Sequence, residues 1–153
     1  MNVVIVEDES LSAQRLGLLV SNYDPTIQVM AILGSVAEAV DWFSHQPKVS
    51  LPDLVFMDIH LEDGSAFGLI ERVNLMLPII FTTAYDTYAI QAFKANSIDY
   101  LLKPIDEAEL AAAIDKFKWT QLTRPSIKHR DPKLATLVNW PNDPSSVAYK
   151  DPF

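Results

Sequence analysis

The sequence predicts an α/β fold, a doubly wound five-stranded parallel sheet in the order 2-1-3-4-5. Short apolar segments alternate with longer amphipathic ones along residues 1–119, which is typical of strands that alternate with helices. The apolar segments, such as "NVVIV", are nearly continuous, which favours strands covered by helices on both faces of the sheet. Hydrophobic residues make up 49% of the 153-residue chain, enough for one core of ordinary size.

Five strands and five helices are predicted, and each strand is followed by a helix. The strands are expected over residues 2–6, 27–33, 53–58, 78–82 and 98–102. The helices are expected over residues 10–21, 36–46, 66–74, 86–95 and 107–119. Two helix starts have the spacing of a capping box, Ser35 with Glu38 and Asp106 with Glu109.

The chain changes character near residue 120. Five of its ten prolines, and none of its four glycines, fall within 120–153. We therefore expect a folded domain over 1–119 and a Pro-rich linker over 120–153. Because such a linker normally joins two domains and the sequence stops at "AYKDPF", we expect a C-terminal domain that is missing from this chain.

Charge and composition exclude several classes of protein. Residues 1–119 carry 17 acidic and 7 basic residues, and so acidic a domain repels the phosphates of DNA. No apolar run reaches the roughly 18–20 residues that span a bilayer, and the start "MNVVIVEDES" lacks the basic segment of a signal peptide. The absence of cysteine excludes disulfides and thiolate metal sites. We expect a cytoplasmic protein.

Three acidic side chains are expected to meet at one edge of the sheet. Glu7 and Asp8 directly follow the first strand, and Asp58 ends the third. In the predicted order these strands are neighbours, and ligands bind beyond their carboxyl ends. Mg²⁺ prefers oxygen ligands and would relieve the repulsion among the acids. We expect Asp8 and Asp58 as direct ligands, the backbone carbonyl of His60 as a third, and Glu7 acting through water.

Two residues from later strands are expected at the same edge. Thr83 follows the fourth strand, and Lys103 follows the fifth. An ammonium at the edge of a core requires a nearby anion, and Asp58 is the expected partner of Lys103. A hydroxyl and an ammonium beside a metal-bound carboxylate form a pocket for a phosphoryl group. Thr82 competes for the hydroxyl role because alternation lets only one threonine face the pocket, and Thr83 is favoured.

The pocket also predicts a reaction. The Asp58 carboxylate would attack phosphorus and become an aspartyl phosphate. Mg²⁺ would screen the approach of the two anions and stabilise charge on the phosphoryl oxygens. Because the carboxylate is already ionised, this reaction requires no general base.

These residues resemble the receiver domain of two-component response regulators, which has a flavodoxin-like fold. The acidic pair stands in "IVEDE", Asp58 in "VFMDIHLEDGSAFGLIE", Thr83 in "IIFTTAYD" and Lys103 in "IDYLLKPID". The resemblance covers about residues 1–119, and the four motifs in this order are specific although each alone is weak. Glu62 stands where the family often has proline, and Glu7 where aspartate is frequent, but neither change removes a residue of the site.

The resemblance implies a signalling switch, not a turnover enzyme. It implies phosphorylation of Asp58 by a sensor histidine kinase, dependence on Mg²⁺, and a cis peptide bond between Lys103 and Pro104. It also implies that Thr83 moves toward the phosphoryl group while Tyr100 repacks. The face made by the fourth helix, fifth strand and fifth helix would then form a homodimer. The segment "TTAYDTYAIQAFKANSIDYLLKPI" resembles the subfamily that controls transcription through a LytTR-type DNA-binding domain.

The sequence leaves other interpretations open. A single aspartate at a strand end is more often a turn or cap residue, and Tyr100 is equally compatible with a place in the core. A receiver-like interaction module that is not phosphorylated would keep the same pocket. A phosphatase of the haloacid dehalogenase type would require a second acid where this chain has His60. A flavodoxin-like cofactor binder would require a Gly-rich or Ser/Thr-rich phosphate loop, which does not follow the first strand.

Overall fold

A computed structural model describes residues 1–85 and 97–123 of the chain. The strands are β1 (Asn2–Val6), β2 (Gln28–Leu33), β3 (Leu54–Asp58), β4 (His60–Leu61), β5 (Gly64–Ser65), β6 (Ile79–Thr83) and β7 (Ser97–Leu102). The α-helices are α1 (Ser10–Tyr23), α2 (Val36–His45), α3 (Ala66–Val73) and α4 (Glu107–Thr123), and a 3₁₀ turn covers Lys48–Ser50. The helix predicted over 86–95 lies outside the described residues.

Five strands form one parallel sheet in the order β2-β1-β3-β6-β7. This arrangement confirms the predicted order 2-1-3-4-5, because β6 and β7 are the fourth and fifth of the predicted strands. Each predicted strand boundary agrees with the structure to within one residue. Since the strands are parallel, the carboxyl ends of β1, β3, β6 and β7 lie at the same edge of the sheet.

The two faces of the sheet are covered by different helices. Ile5 and Phe56 pack with α1 and α4, whereas Val4 and Met57 pack with α2 and α3. This alternation follows from the two-residue period of a strand. Each such side chain, once fully buried, stabilises the fold by about 2 kcal/mol, so the central strands that carry the acids are firmly held. Among the described residues, every helix is too short or too polar to cross a membrane.

The largest differences between the structure and the sequence prediction are three. The short antiparallel hairpin of β4 and β5 was not predicted. Helix α1 extends two residues beyond its predicted end. Helix α4 continues four residues beyond 119 into the segment expected to be linker, and its last turn is closed by a hydrogen bond from Thr123 Oγ1 to the carbonyl of Trp119 (2.9 Å). The chain divides into two units, Met1–Lys118 and Trp119–Phe153, and the second is described only over 119–123.

Candidate metal centre

The structure brings the three predicted acids together at the carboxyl edge of the sheet. Glu7 and Asp8 follow β1, and Asp58 is the last residue of β3. One carboxylate oxygen from each residue lies within 4.8 Å of the other two. Glu7 and Asp58 are buried, with exposed fractions of 4% and 5%, and Asp8 is half-buried. This group offers only oxygen donors, which suits a hard divalent cation such as Mg²⁺.

Lys103 reaches the acidic cluster from the end of β7. Its Nζ lies 2.9 Å from Asp58 Oδ2, which places it beside the anion expected from the sequence. It also lies 2.7 Å from Glu7 Oε1, a contact that the sequence did not predict. Lys103 therefore neutralises part of the charge of both buried acids.

The backbone around Lys103 is fixed on both sides. Its N–H donates to the carbonyl oxygen of Thr83 at 2.8 Å, which ties the end of β7 to the end of β6. The Lys103–Pro104 peptide bond is cis, as the resemblance implies. On the C-terminal side of Lys103, Arg15 of α1 donates to the carbonyl oxygen of Ile105 at 3.0 Å. The loop that carries the ammonium is thus held by the sheet and by a helix.

The electrostatics of the cluster indicate an excess of negative charge. Burial raises the pKa of Glu7 from 4.5 to about 7; the hydrogen bond from Lys103 opposes this change, and the charge of Asp58 adds to it. For Lys103, burial alone would lower the pKa, but hydrogen bonds to Glu7 and Asp58 outweigh it and the pKa is raised. Lys103 therefore pairs with two of the three acids, and a divalent cation would neutralise the charge that remains on the cluster.

Each carboxylate of the cluster also accepts a hydrogen bond from a backbone amide. The donors are Glu9 N to Glu7 Oε2 (3.1 Å), Glu62 N to Asp8 Oδ2 (2.8 Å) and His60 N to Asp58 Oδ1 (3.1 Å). Such bonds orient the side chains before any ligand binds. His60, whose carbonyl is a predicted metal ligand, thus lies in the strand directly beside the cluster.

The two residues predicted for the switch are connected through Tyr85. Thr83 is fully buried at the end of β6, and its Oγ1 accepts a hydrogen bond from Tyr85 N at 3.1 Å. Tyr100 donates its hydroxyl to the backbone oxygen of Tyr85 and packs, half-buried, against the core cluster beneath α2 and α3. Thr82 is also buried, so burial does not distinguish the two threonines.

The β4–β5 turn, which the sequence did not predict, lies beside the cluster. Glu62 N donates to Asp8, and the carboxylate of Asp63 accepts hydrogen bonds from Val36 N (2.8 Å) and Ala37 N (3.0 Å). Those two bonds hold the pKa of Asp63 below its usual value. The Asp-Gly pair at 63–64 is a turn signal, but no local pattern shows which distant amides its carboxylate would reach.

The chain is similar to known proteins in both sequence and fold. The family model of the response regulator receiver domain matches residues 3–115. The sensory transduction protein LytT of Enterococcus faecalis is 42% identical over 119 residues, which cover 76% of this chain and 47% of LytT. The transcriptional regulatory protein BtsR of Salmonella typhimurium is 35% identical over 123 residues, which cover 77% of this chain and 48% of BtsR.

The chain thus spans about half the length of these two curated relatives. Among solved structures, the response regulatory domain of protein mrkE from Klebsiella pneumoniae superimposes with a TM-score of 0.70 at 24% identity. That match covers 81% of this chain and 100% of the mrkE domain. At this level of identity the likeness shows the fold alone.

Proposed function

Because the chain belongs to the response regulator receiver domain family, we propose that it is a phosphorylation-dependent switch whose phosphoacceptor is Asp58. The observation that carries this proposal is the contact of 2.9 Å between Lys103 Nζ and Asp58 Oδ2, inside a cluster that also holds Glu7 and Asp8. The family is a signalling family, and the proposed chemistry is the modification of the protein itself.

The proposed reaction is a nucleophilic transfer to Asp58. A carboxylate oxygen attacks the phosphorus of a phosphohistidine on a sensor kinase, or of a small phosphodonor, and forms an O–P bond. The bond from phosphorus to the leaving group breaks, and imidazole leaves from phosphohistidine, acetate from acetyl phosphate, or ammonia from phosphoramidate. Lys103, which already pairs with Asp58, then pairs with the phosphoryl oxygens. The hydroxyl of Thr83 supplies a further hydrogen bond to them.

The residues of the cluster fit Mg²⁺, because all the donors are oxygen atoms and their negative charge exceeds that of Lys103. Asp8 and Asp58 would bind the ion directly, with the backbone carbonyl of His60 as a third ligand. Glu7 would act through water, since one of its oxygens is paired with Lys103. When bound, Mg²⁺ screens the repulsion between the attacking carboxylate and the phosphoryl oxygens.

The switch would run from Thr83 through Tyr85 to Tyr100. If Thr83 turns toward a phosphoryl group, Tyr85 N loses its acceptor and the hydrogen bond from Tyr100 to Tyr85 is disturbed. If 1% of the protein is active before phosphorylation and 99% after it, phosphorylation must favour the active state over the inactive state by about 5.5 kcal/mol. New charge-assisted bonds to Lys103 and Thr83 supply part of that free energy.

The wider role is part of the same proposal, and the relatives support it. LytT is a sensory transduction protein and BtsR a transcriptional regulatory protein, and both are about twice as long as the matched segment. We place this chain as the receiver part of a cytoplasmic transcriptional regulator with a LytTR-type output domain, which alone would contact DNA. Its homodimer would form through the helix predicted over 86–95 together with β7 and α4.

Intact-mass measurement tests the phosphoacceptor. With Mg²⁺ and acetyl phosphate or phosphoramidate, the chain should gain the mass of one phosphoryl group. The gain should be lost in Asp58→Asn and kept in Asp53→Asn, a matched control at the opposite end of the sheet, where Asp53 accepts a hydrogen bond from Asn2 N. An Asp58→Asn variant that is phosphorylated as well as the wild type would refute the assignment. Sustained release of phosphate from esters would instead favour a phosphatase.

A further inference from the structure

Helix α2 is capped partly by a residue from a distant turn. The first amides of a helix have no partners within it. Ser35 Oγ accepts from Glu38 N at 3.0 Å, as the sequence predicted. The amides of Val36 and Ala37 donate instead to the two carboxylate oxygens of Asp63, 27 and 26 residues further along the chain. Asp63 therefore fixes the β4–β5 turn on the start of α2.

The same turn contacts the acidic cluster. Glu62, the residue before Asp63, donates its N–H to Asp8 Oδ2 at 2.8 Å. Gly64, the residue after it, has φ +154°, and a Cβ there would lie 3.2 Å from Val36 Cγ2. A side chain at position 64 would be strained and would press on α2. The turn thus lies close against the helix while its backbone holds one oxygen of Asp8.

We propose that Asp63 is a positioning residue for the metal centre. It anchors the turn on α2 so that the Glu62 amide sets the orientation of the Asp8 carboxylate. This inference rests on the proposed Mg²⁺ site, but it adds a residue that does not touch the metal or the phosphoryl group. Outer partners of this kind reduce the freedom of a ligand before binding and so raise its affinity.

Metal titration separates positioning from simple helix capping. Mn²⁺ serves as the probe because its free-ion EPR signal reports binding, and Mg²⁺ serves as its competitor. We expect Asp63→Ala to weaken Mn²⁺ binding about tenfold, the low end of the effect of outer partners. Asp63→Asn keeps one carbonyl acceptor and should fall between Asp63→Ala and the wild type. Ser35→Ala is the matched control, since it removes a cap from the same helix without touching the β4–β5 turn.

Amide hydrogen exchange provides a readout that needs no metal. In the metal-free protein, the Glu62 amide should exchange faster in Asp63→Ala than in the wild type, because its bond to Asp8 is no longer held. In Ser35→Ala the exchange of Glu62 should stay at the wild-type rate, while that of Glu38 increases. If Asp63→Ala does not fold, Asp63→Asn takes its place in both measurements.

The outcomes distinguish this inference from the function on which it rests. If the wild type binds neither Mn²⁺ nor Mg²⁺, the proposed metal centre is wrong and the inference fails with it. If the wild type binds the ions but both Asp63 variants bind them equally well, only the positioning role is refuted. A Ser35→Ala variant that loses as much affinity as Asp63→Ala would also refute it, because general weakening of α2 would then explain both results.

Discussion

Lys103 Nζ lies closer to Glu7 Oε1 than to Asp58 Oδ2, at 2.7 Å against 2.9 Å. One ammonium, from the residue that follows β7, therefore pairs with acids that follow or end two other strands of the sheet. Because both acids are buried, neither can rely on water to replace the ammonium. Phosphorylation of Asp58 would draw Lys103 toward the new oxygens and weaken its bond to Glu7, which links the chemistry at one strand to the charge of its neighbour.

Removal of the ammonium should affect signalling more than folding. In Lys103→Ala, Glu7 can take up a proton, so we expect metal-free stability to fall by only about 1–3 kcal/mol, the cost of unsatisfied partners. The stabilisation that beryllofluoride and Mg²⁺ give to the wild type in thermal unfolding should be largely lost. Lys118→Ala is a suitable control, since Lys118 pairs with Asp24 on the surface at 3.5 Å. Equal loss of folding and of the beryllofluoride response would contradict this expectation.

The pKa of Glu7 should make metal-free stability depend on pH. Because it rises from 4.5 to about 7 on folding, the folded state binds more protons between these values. The associated stability is complete below about pH 4.5 and is lost as the pH rises through 7, in all on the order of 3 kcal/mol. Urea unfolding of metal-free protein between pH 5 and 8 should show this decline, and Glu7→Gln should flatten it. A wild-type profile as flat as that of Glu7→Gln would show that Glu7 titrates normally.

The affinity for Mg²⁺ should rise with pH over the same range, because the ion competes with the proton for the carboxylates of the cluster. Addition of Mg²⁺ should therefore restore stability above pH 7 in the wild type.

Asp24 and Asp63 have lowered pKa values, so the stability that each contributes is present above about pH 4 and is lost only at lower pH. Their contribution to stability therefore lies outside the pH range in which Glu7 titrates.

The two threonines at the end of β6 should differ in the switch. Thr83→Ala removes the acceptor of the Tyr85 amide, so that amide should exchange faster, and beryllofluoride should no longer change its exchange. Thr83→Ser keeps the hydroxyl and should restore the response. Thr82→Ala, also at a buried position, is the matched control and should keep it. If Thr82→Ala loses the response and Thr83→Ala keeps it, the roles of the two residues are reversed.

The sheet could be predicted because its strands carry strong and independent signals. The segments around Val4 and Phe56 are short and apolar on both faces, which favours a covered central strand. The predicted order of the strands is enough to place Asp8 and Asp58 at the same edge of the sheet. The contact between Lys103 and Asp58 followed from the cost of an isolated buried charge.

The features that were missed depend on tertiary contacts. The β4–β5 strands have two residues each, too few for any alternation of polar and apolar side chains to be visible. The pairing of Lys103 with Glu7 depends on how deeply Glu7 is buried, which its position after a strand does not reveal. The reach of Asp63 to α2 depends on the packing of the turn against Val36. The proline-rich composition of residues 120–153 predicts a linker, whereas α4 continues four residues beyond 119.

A surface contact between α1 and α4 should contribute measurably to stability. Tyr23, the last residue of α1, donates its hydroxyl to Asp115 of α4, and Lys118 Nζ lies 4.8 Å from the centre of its ring. Tyr23→Phe removes only the hydroxyl, so we expect a loss of about 0.5–1 kcal/mol in urea unfolding. Asp115→Ala removes the acceptor, so the single and double variants with Tyr23→Phe form a cycle that tests the pair directly. If the effects of the two substitutions add in full, the hydrogen bond between Tyr23 and Asp115 does not stabilise the fold.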